Sequence, residues 1–122
     1  MSKTILVVDD SKAMRLIVRR TLRQAGFGDY EVEEAANGLE ALERIGQAVP
    51  ALVVSDWNMP EMNGIELLRE LNARKVQVRF GFVTTEGTPD MRAMADEAGA
   101  LFLIAKPFTP EQFESALRPL LS

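Results

Sequence analysis

The sequence predicts an α/β protein, a (βα)5 sandwich in which helices cover both faces of a doubly wound parallel sheet. Five short apolar segments alternate with segments of helical periodicity, which is the pattern of right-handed strand–helix–strand crossovers. The first, third and fifth apolar segments are almost continuously hydrophobic, as in central parallel strands that helices cover on both sides. These two observations together predict the fold class.

The predicted strands are short, and segments of helix length separate them. They occupy residues 5–8, 30–36, 52–55, 80–83 and 101–104. The second places the acidic Glu31 and Glu33 on either side of Val32, so we expect it at an edge of the sheet. The chain contains no internal repeat and no linker-like segment, and we expect one domain spanning residues 1–122.

The predicted helices begin at recognisable capping residues. Asn37, followed three residues later by Glu40, has the spacing of a capping box. Residues 88–89 and 109–110 are both Thr-Pro, which places a capping hydroxyl before a proline at the first helical position. Glycines predict three helix ends, at Gly26, Gly46 and Gly99.

The composition limits the possible functions. The 122 residues include 14 basic and 18 acidic side chains, a formal net charge of −4, which argues against binding to nucleic acid or to an anionic membrane. Cysteine and histidine are both absent, so disulfides, thiol nucleophiles and imidazole catalysis are excluded. A metal would be held by oxygen atoms, which favours a hard cation such as Mg²⁺. The apolar segment at residues 5–8 is too short for a signal peptide or a membrane span, and we expect a cytoplasmic protein.

Polar residues follow four of the five predicted strands. Asp9 and Asp10 follow the first, Asp56 the third, Thr84 the fourth and Lys106 the fifth. Ligands of open parallel sheets bind outside the carboxyl ends of the strands, where the strand order reverses. If the order is 2-1-3-4-5, the first and third strands are neighbours about 4.8 Å apart, and their carboxylates can share one ion. Lys106 starts two strands away and has the longest side chain, so we expect all these groups to converge above Asp56.

The clustered carboxylates indicate phosphoryl chemistry assisted by a metal. Like charges at this separation favour protonation of one carboxylate unless a cation neutralises them. A divalent ion held by Asp9 or Asp10, by Asp56 and by a backbone carbonyl would do so, and Mg²⁺ also coordinates phosphoryl oxygens. A carboxylate can attack phosphorus and form an aspartyl phosphate. Lys106 and Thr84 would then offset the charge of the transferred group.

The same residues carry a resemblance to a known family. The matching segments are VVDD at residues 7–10, DWNMP at 56–60 with NG at 63–64, VT at 83–84, AGA at 98–100 and KPF at 106–108. Together they resemble the response-regulator receiver domain, in particular its single-domain, CheY-like members. The resemblance covers essentially the whole chain, and it implies a flavodoxin-like sheet with strand order 2-1-3-4-5.

The resemblance also implies a role for each residue of the metal site. Asp56 would be the phosphoryl acceptor, and it would also be a ligand of the metal. Asp9 and Asp10 would bind Mg²⁺, one of them through water, and Asn58 would contribute its main-chain oxygen.

The residues after the fourth and fifth strands would form the switch. Thr84 would be the hydroxyl that moves toward the phosphoryl group, and Lys106 would contact the phosphoryl oxygens, with a cis bond to Pro107. The family usually has an aromatic residue three positions before this lysine, where the present chain has Leu103. Phe102 is adjacent in the strand and should face the opposite side of the sheet, so a rotating aromatic switch is not expected.

The resemblance implies a phosphorylation-dependent interaction module. A histidine kinase or phosphotransfer protein would supply the phosphoryl group, because the chain has no histidine of its own. Self-phosphotransfer and autodephosphorylation would be its only activities, and it would act as a monomer. A downstream protein would bind the face formed by the fourth helix, the fifth strand and the fifth helix, with no role for nucleic acid or membrane.

Two other functional classes fit the pattern less well. An aspartate-nucleophile phosphatase normally has a second acid two residues after the nucleophile, where this chain has Asn58. A nucleotide- or flavin-binding protein would need a glycine-rich loop after the first strand, where this chain has Asp9 and Asp10.

Simpler interpretations apply to two other features. Trp57 is expected to be partly exposed and to cover a loop, without a chemical role. The first helix has a basic side, which is interpreted as a solvated surface in preference to a kinase-docking surface. Its members are Arg15, Arg19, Arg20 and Arg23.

Overall fold

The computed structural model describes residues 3–121 and contains a five-stranded parallel sheet in the order β2-β1-β3-β4-β5. The strands are β1 (Thr4–Val8), β2 (Glu31–Ala35), β3 (Leu52–Ser55), β4 (Phe80–Thr84) and β5 (Leu103–Ala105). The helices are α1 (Lys12–Leu22), α2 (Gly38–Gln47), α3 (Gly64–Ala73), α4 (Pro89–Glu97) and α5 (Pro110–Leu121). The predicted fold class and strand order are confirmed, and the order reverses between β1 and β3.

Two apolar layers hold the helices against the sheet. Successive residues of a strand point to opposite faces, so Leu6 and Val8 join one core cluster while Ile5 and Val7 join the other. Helices α2, α3 and α4 pack on the first face, and α1 and α5 pack on the second. Each fully buried apolar side chain contributes about 1.5–3 kcal/mol relative to exposure.

The burial of the strands separates centre from edge. β1, β3 and β4 are buried almost throughout, whereas β2 alternates between exposed and half-buried residues, as expected for an edge strand. The continuous hydrophobicity of the fifth segment predicted a central strand, and that expectation is wrong, whereas the predicted strand order already placed the fifth strand at an edge. β5 pairs only with β4, and its Leu103 and Ala105 are half-buried. It is also shorter than predicted, because Leu101 is exposed to solvent before the strand begins.

Helix caps follow the predicted residues at three positions. The side chain of Asn37 accepts a hydrogen bond from the Glu40 amide, and that of Thr88 accepts one from Met91. Thr109 forms a complete capping box in which its amide donates to the Gln112 side chain and its hydroxyl accepts from the Gln112 amide. These bonds satisfy amide groups that have no partner within the helix.

The predicted helix ends agree with the structure at two of the three glycines. Gly26 (φ 101°) lies in the π-helical turn Arg23–Phe27 that follows α1 and closes the first helix, and Gly99 (φ 95°) follows α4. Gly46 does not end a helix, because α2 continues to Gln47. A left-handed backbone is what makes a glycine a stop signal, and no positive φ occurs at Gly46.

The helices within residues 3–121 include none with the length and apolar character needed to cross a bilayer.

Candidate functional site

The register of the sheet places two carboxylates side by side. β1 and β3 pair with Val8 opposite Ser55, so Asp9 and Asp56 follow at the same edge of the sheet. The Asp56 amide donates to the Val8 carbonyl at 2.8 Å, and the Asp9 amide donates to the Ala35 carbonyl of β2 at 3.1 Å. Backbone hydrogen bonds to the neighbouring strands therefore position both aspartates.

Asp10 completes a cluster of three carboxylates. One oxygen from each of Asp9, Asp10 and Asp56 lies within 4.8 Å of the others. Asp9 is buried, Asp10 is exposed and Asp56 is intermediate. The cluster thus has a buried floor and an open side through which a ligand can enter.

Lys106 reaches this cluster from β5. Its Nζ lies 3.3 Å from Asp9 Oδ2 and 3.6 Å from Asp56 Oδ1, and its side chain is only 10% exposed. The bond from Lys106 to Pro107 is cis, as the family resemblance implies. The structure therefore brings together Asp9, Asp10, Asp56 and Lys106.

The site carries surplus negative charge. When all three carboxylates are ionised, the single ammonium of Lys106 leaves two negative charges uncompensated. Burial raises the pKa of Asp56 above its ordinary value, and the neighbouring Asp9 and Asp10 charges raise the pKa further, while Lys106 opposes them. Three hard oxygen donors with a deficit of two positive charges fit a divalent cation such as Mg²⁺.

Thr84 and Asn58 are less closely tied to the cluster. Thr84 is fully buried at the end of β4, and its hydroxyl accepts a hydrogen bond from the Glu86 amide at 3.3 Å. Its carbonyl accepts from the Lys106 amide at 2.7 Å. Among residues 3–121, the Thr84 hydroxyl makes no hydrogen bond to the three carboxylates. Asn58 lies two residues after Asp56 in the same loop and is exposed.

The expectation that Trp57 is partly exposed is wrong. Its side chain is 7% exposed, and its ring packs against Phe82 with centroids 4.7 Å apart. The start of α3 covers this loop: the Gly64 amide donates to the Trp57 carbonyl at 2.8 Å. A Cβ at Gly64 would overlap the Asp56 carbonyl oxygen, so only glycine permits this close approach. The Trp57 amide also donates to Asp56 Oδ1 at 2.8 Å.

Two arginines on the basic side of the first helix form ion pairs, which contradicts the expectation that this side is only a solvated surface. Arg15 Nε donates to Glu34 Oε1 at 2.7 Å, and Arg19 Nη2 donates to Glu34 Oε2 at 2.8 Å. Arg20 and Arg23 are exposed, as expected. Arg15 was not predicted to be a neighbour of the site, although the available signal was an arginine in the first turn of the helix that follows a strand-end aspartate pair.

Leu103 and Phe102 lie on opposite faces of the sheet, as predicted. Leu103 packs against the core cluster that contains Phe82, and Phe102 packs against the other cluster. A Cβ at Gly81 would overlap the Phe102 ring, so the ring lies directly over that glycine.

Comparisons with known proteins agree with this geometry. Residues 5–118 match the family described as the response regulator receiver domain. The chain is 40% identical over 120 residues to chemotaxis protein CheY1 of Helicobacter pylori strain J99, covering 96% of this chain and 95% of that protein. It is 41% identical over 120 residues to the chemotaxis protein CheY homolog of Campylobacter jejuni strain 81-176, covering 96% and 91%. The structure of chemotaxis protein CheY4 of Vibrio cholerae, crystallised at low pH, is similar with a TM-score of 0.85 and 35% identity, covering 99% of this chain and 100% of that one.

Proposed function

The chain belongs to the response regulator receiver domain family of two-component signalling, and on that premise we propose that it is a switch phosphorylated on Asp56. The observation that carries the proposal is the cluster of Asp9, Asp10 and Asp56 around the Lys106 ammonium. A carboxylate in such a setting is both a nucleophile and a group whose charge needs compensation.

Asp9, Asp10 and Asp56 are the residues that would hold Mg²⁺, together with the main-chain oxygen of Asn58. When bound, the cation supplies positive charge beside the acceptor carboxylate and ligates phosphoryl oxygens. The donor set supports this assignment, because all of its atoms are hard oxygens and the site lacks two positive charges.

In the proposed transfer, Asp56 provides the nucleophilic oxygen. One carboxylate oxygen forms a bond to phosphorus while the bond from phosphorus to the imidazole nitrogen of a donor phosphohistidine breaks. The imidazole leaves with the bonding pair and takes a proton from solvent. Lys106 Nζ, held 3.6 Å from Asp56 Oδ1, offsets charge on the transferred group, and the Thr84 hydroxyl does so after moving toward it.

The donor and the target are proteins in this proposal. The chain has no histidine, so a separate histidine kinase or phosphotransfer protein supplies the phosphoryl group. The target would be a protein in a chemotaxis or phosphorelay pathway, and the domain would act as a cytoplasmic monomer, without nucleic acid or membrane. The chemotaxis names of the similar proteins support this class of pathway.

The output would pass through the face formed by α4, β5 and α5. Arg92 of α4 donates hydrogen bonds to the carbonyls of Gly87 and Leu103, both at 3.3 Å. It therefore links the loop after Thr84 to β5 without the usual aromatic residue. Movement of Thr84 would disturb this link and change the affinity for a partner. A full shift from 1:99 to 99:1 requires the partner to prefer one conformation about 10⁴-fold.

Phosphorylation by acetyl phosphate, followed by intact mass spectrometry, tests the proposal. We expect one added phosphoryl group that requires Mg²⁺ and is absent from Asp56→Asn. Asp29→Asn, which removes an exposed aspartate just before β2, at the amino ends of the parallel strands and away from the site, is the matched control and should be labelled like the wild type. Equal labelling of Asp56→Asn would overturn the proposal, and repeated turnover of p-nitrophenyl phosphate would favour the phosphatase class instead.

A further inference from the structure

Arg15 lies behind the carboxylate cluster and joins it to the edge strand. Its Nη1 donates to the Asp9 main-chain carbonyl at 2.6 Å, and its Nε donates to Glu34 Oε1 at 2.7 Å. The side chain is 15% exposed. The planar guanidinium thus spans the gap between the turn that follows β1 and the side chain of a residue in β2.

Glu34 provides a rigid anchor for this contact. It pairs with Val7 in the register of β1 and β2, so its backbone is fixed within the sheet. The hydrogen bond from Arg15 lowers the pKa of Glu34, and Arg19 contributes in the same direction. Glu34 therefore remains ionised, and the charge of Arg15 is compensated where it meets the turn.

The orientation of the site depends on the Asp9 main-chain carbonyl, which accepts the hydrogen bond from Arg15. This oxygen belongs to the planar peptide group that joins Asp9 to Asp10. A hydrogen bond to it therefore restricts the orientation of the peptide plane, and with it the direction of the backbone at Asp10. The Asp9 amide is held by Ala35, and its carboxylate accepts from the Ser11 amide at 2.9 Å. Arg15 holds the one remaining main-chain group of Asp9.

We propose that Arg15, anchored by Glu34, is a positioning residue for the magnesium site. It holds the peptide between Asp9 and Asp10 so that both carboxylates face the position of the cation. This inference rests on the proposed function, because it assigns Arg15 a role toward the cation of that site. It extends that function to a residue whose hydrogen bonds go to the Asp9 main-chain carbonyl and to Glu34, and not to the three carboxylates of the cluster.

The sign of the effect separates positioning from electrostatics. Arg15 carries a positive charge near a cation site, so a purely electrostatic role predicts that its removal tightens Mg²⁺ binding. A positioning role predicts weaker binding, and loss of an outer contact of this kind typically costs 10–100-fold in metal affinity.

The test is a Mg²⁺ titration of Arg15→Met, followed by Trp57 fluorescence and by calorimetry. Trp57 is a suitable reporter because its amide donates to Asp56 Oδ1 at 2.8 Å. We expect the Kd for Mg²⁺ to rise about 10-fold. Arg19→Met is the matched control, since Arg19 binds Glu34 at 2.8 Å but has no hydrogen bond to Asp9; its Kd should stay within about 2-fold of the wild type.

A metal-free measurement provides an independent readout. In the nuclear magnetic resonance spectrum without Mg²⁺, Arg15→Met should shift the amide signals of Asp10 and Ser11, and Arg19→Met should leave them in place. If Arg15→Met does not fold, Arg15→Lys replaces it, because an ammonium lacks the fork that spans both partners and should also weaken binding.

Each outcome decides the inference. A lower melting temperature with unchanged Kd would assign Arg15 a role in stability alone and overturn positioning, as would tighter Mg²⁺ binding. Absence of a response in folded wild-type protein would overturn the proposed function together with this inference. A wild-type response that Arg15→Met leaves unchanged would overturn the inference alone.

Discussion

Replacing Lys106 with methionine tests the electrostatic design of the site. The Lys106 ammonium lies between Asp9 and Asp56, and its removal leaves two carboxylates facing each other with Asp10 beside them. Methionine retains most of the apolar stem, so the change mainly removes charge. We expect Lys106→Met to lower the free energy of unfolding by about 3 kcal/mol near neutral pH without Mg²⁺.

The magnitude follows from the distances and the burial of the pair. At 3.3 Å from Asp9, the Coulomb attraction is about 5 kcal/mol at an effective dielectric constant of about 20, and desolvation of the ammonium offsets part of it. Removing one partner of a buried pair costs about 3–5 kcal/mol. The Asp56 side chain is 13% exposed, so we take the lower end of that range of energies for this site. In a domain of this size the loss corresponds to about 10 °C in melting temperature.

The pH dependence distinguishes charge from packing. Lys106 lowers the pKa of Asp56, so its removal raises that pKa further above the unfolded value. The extra loss of stability in the variant is therefore present above the raised pKa of Asp56 and disappears as falling pH protonates Asp56. Urea unfolding monitored by circular dichroism at about pH 7.5 and about pH 5, with a chelator present, measures both conditions.

A surface cation provides the control for this experiment. Arg74 forms an exposed ion pair with Glu70 one helical turn away, and Arg74→Met should cost less than about 1 kcal/mol at either pH. The reasoning is refuted if Lys106→Met loses equal stability at both pH values, or no more than Arg74→Met.

Three further predictions concern other groups. Asp56→Asn should raise the free energy of unfolding at neutral pH in metal-free urea titrations. The pKa of Asp56 is raised in the folded protein, so ionisation of Asp56 destabilises the fold as the pH rises through that pKa. The stability gained by Asp56→Asn should therefore shrink in acid, and a gain that does not depend on pH would contradict this. Gly64→Ala should give little folded protein in circular dichroism spectra, because its Cβ would overlap the Asp56 carbonyl and the Phe82 ring; native stability would contradict this. Glu34→Gln should lose stability at neutral pH. The pKa of Glu34 is lowered, first by its hydrogen bond with Arg15, so the stability that ionised Glu34 contributes is present above its unfolded-state pKa and is lost as the pH falls through its lowered folded-state pKa. The urea midpoints of variant and wild type should therefore converge in acid. A difference that stays constant with pH would exclude this cause.

Some features of the site depended only on residues close in sequence. Strand-end positions of Asp9, Asp56 and Lys106 could be predicted because each follows an apolar segment with a clear boundary. The sheet then brought these three residues together, since carboxyl ends of parallel strands share one edge. The Asn37 cap was equally local, because a helix cap binds an amide three residues away.

Other features depended on contacts that sequence spacing does not reveal. Burial of Trp57 follows from the approach of α3 at Gly64, and the pairing of Arg15 with Glu34 joins residues 19 positions apart. A local pattern indicates only that these side chains are aromatic or charged; their environment depends on which element packs over them.

The sequence by itself determined the fold class, the strand order through its family resemblance, and the acidic strand ends that form the site. Tertiary structure alone decided that Trp57 is buried and that Arg15 holds the Asp9 carbonyl. The physical reason is one of range. Periodicity and capping act over a few neighbouring residues, whereas burial and charge pairing act through space between segments that only the folded chain brings into contact.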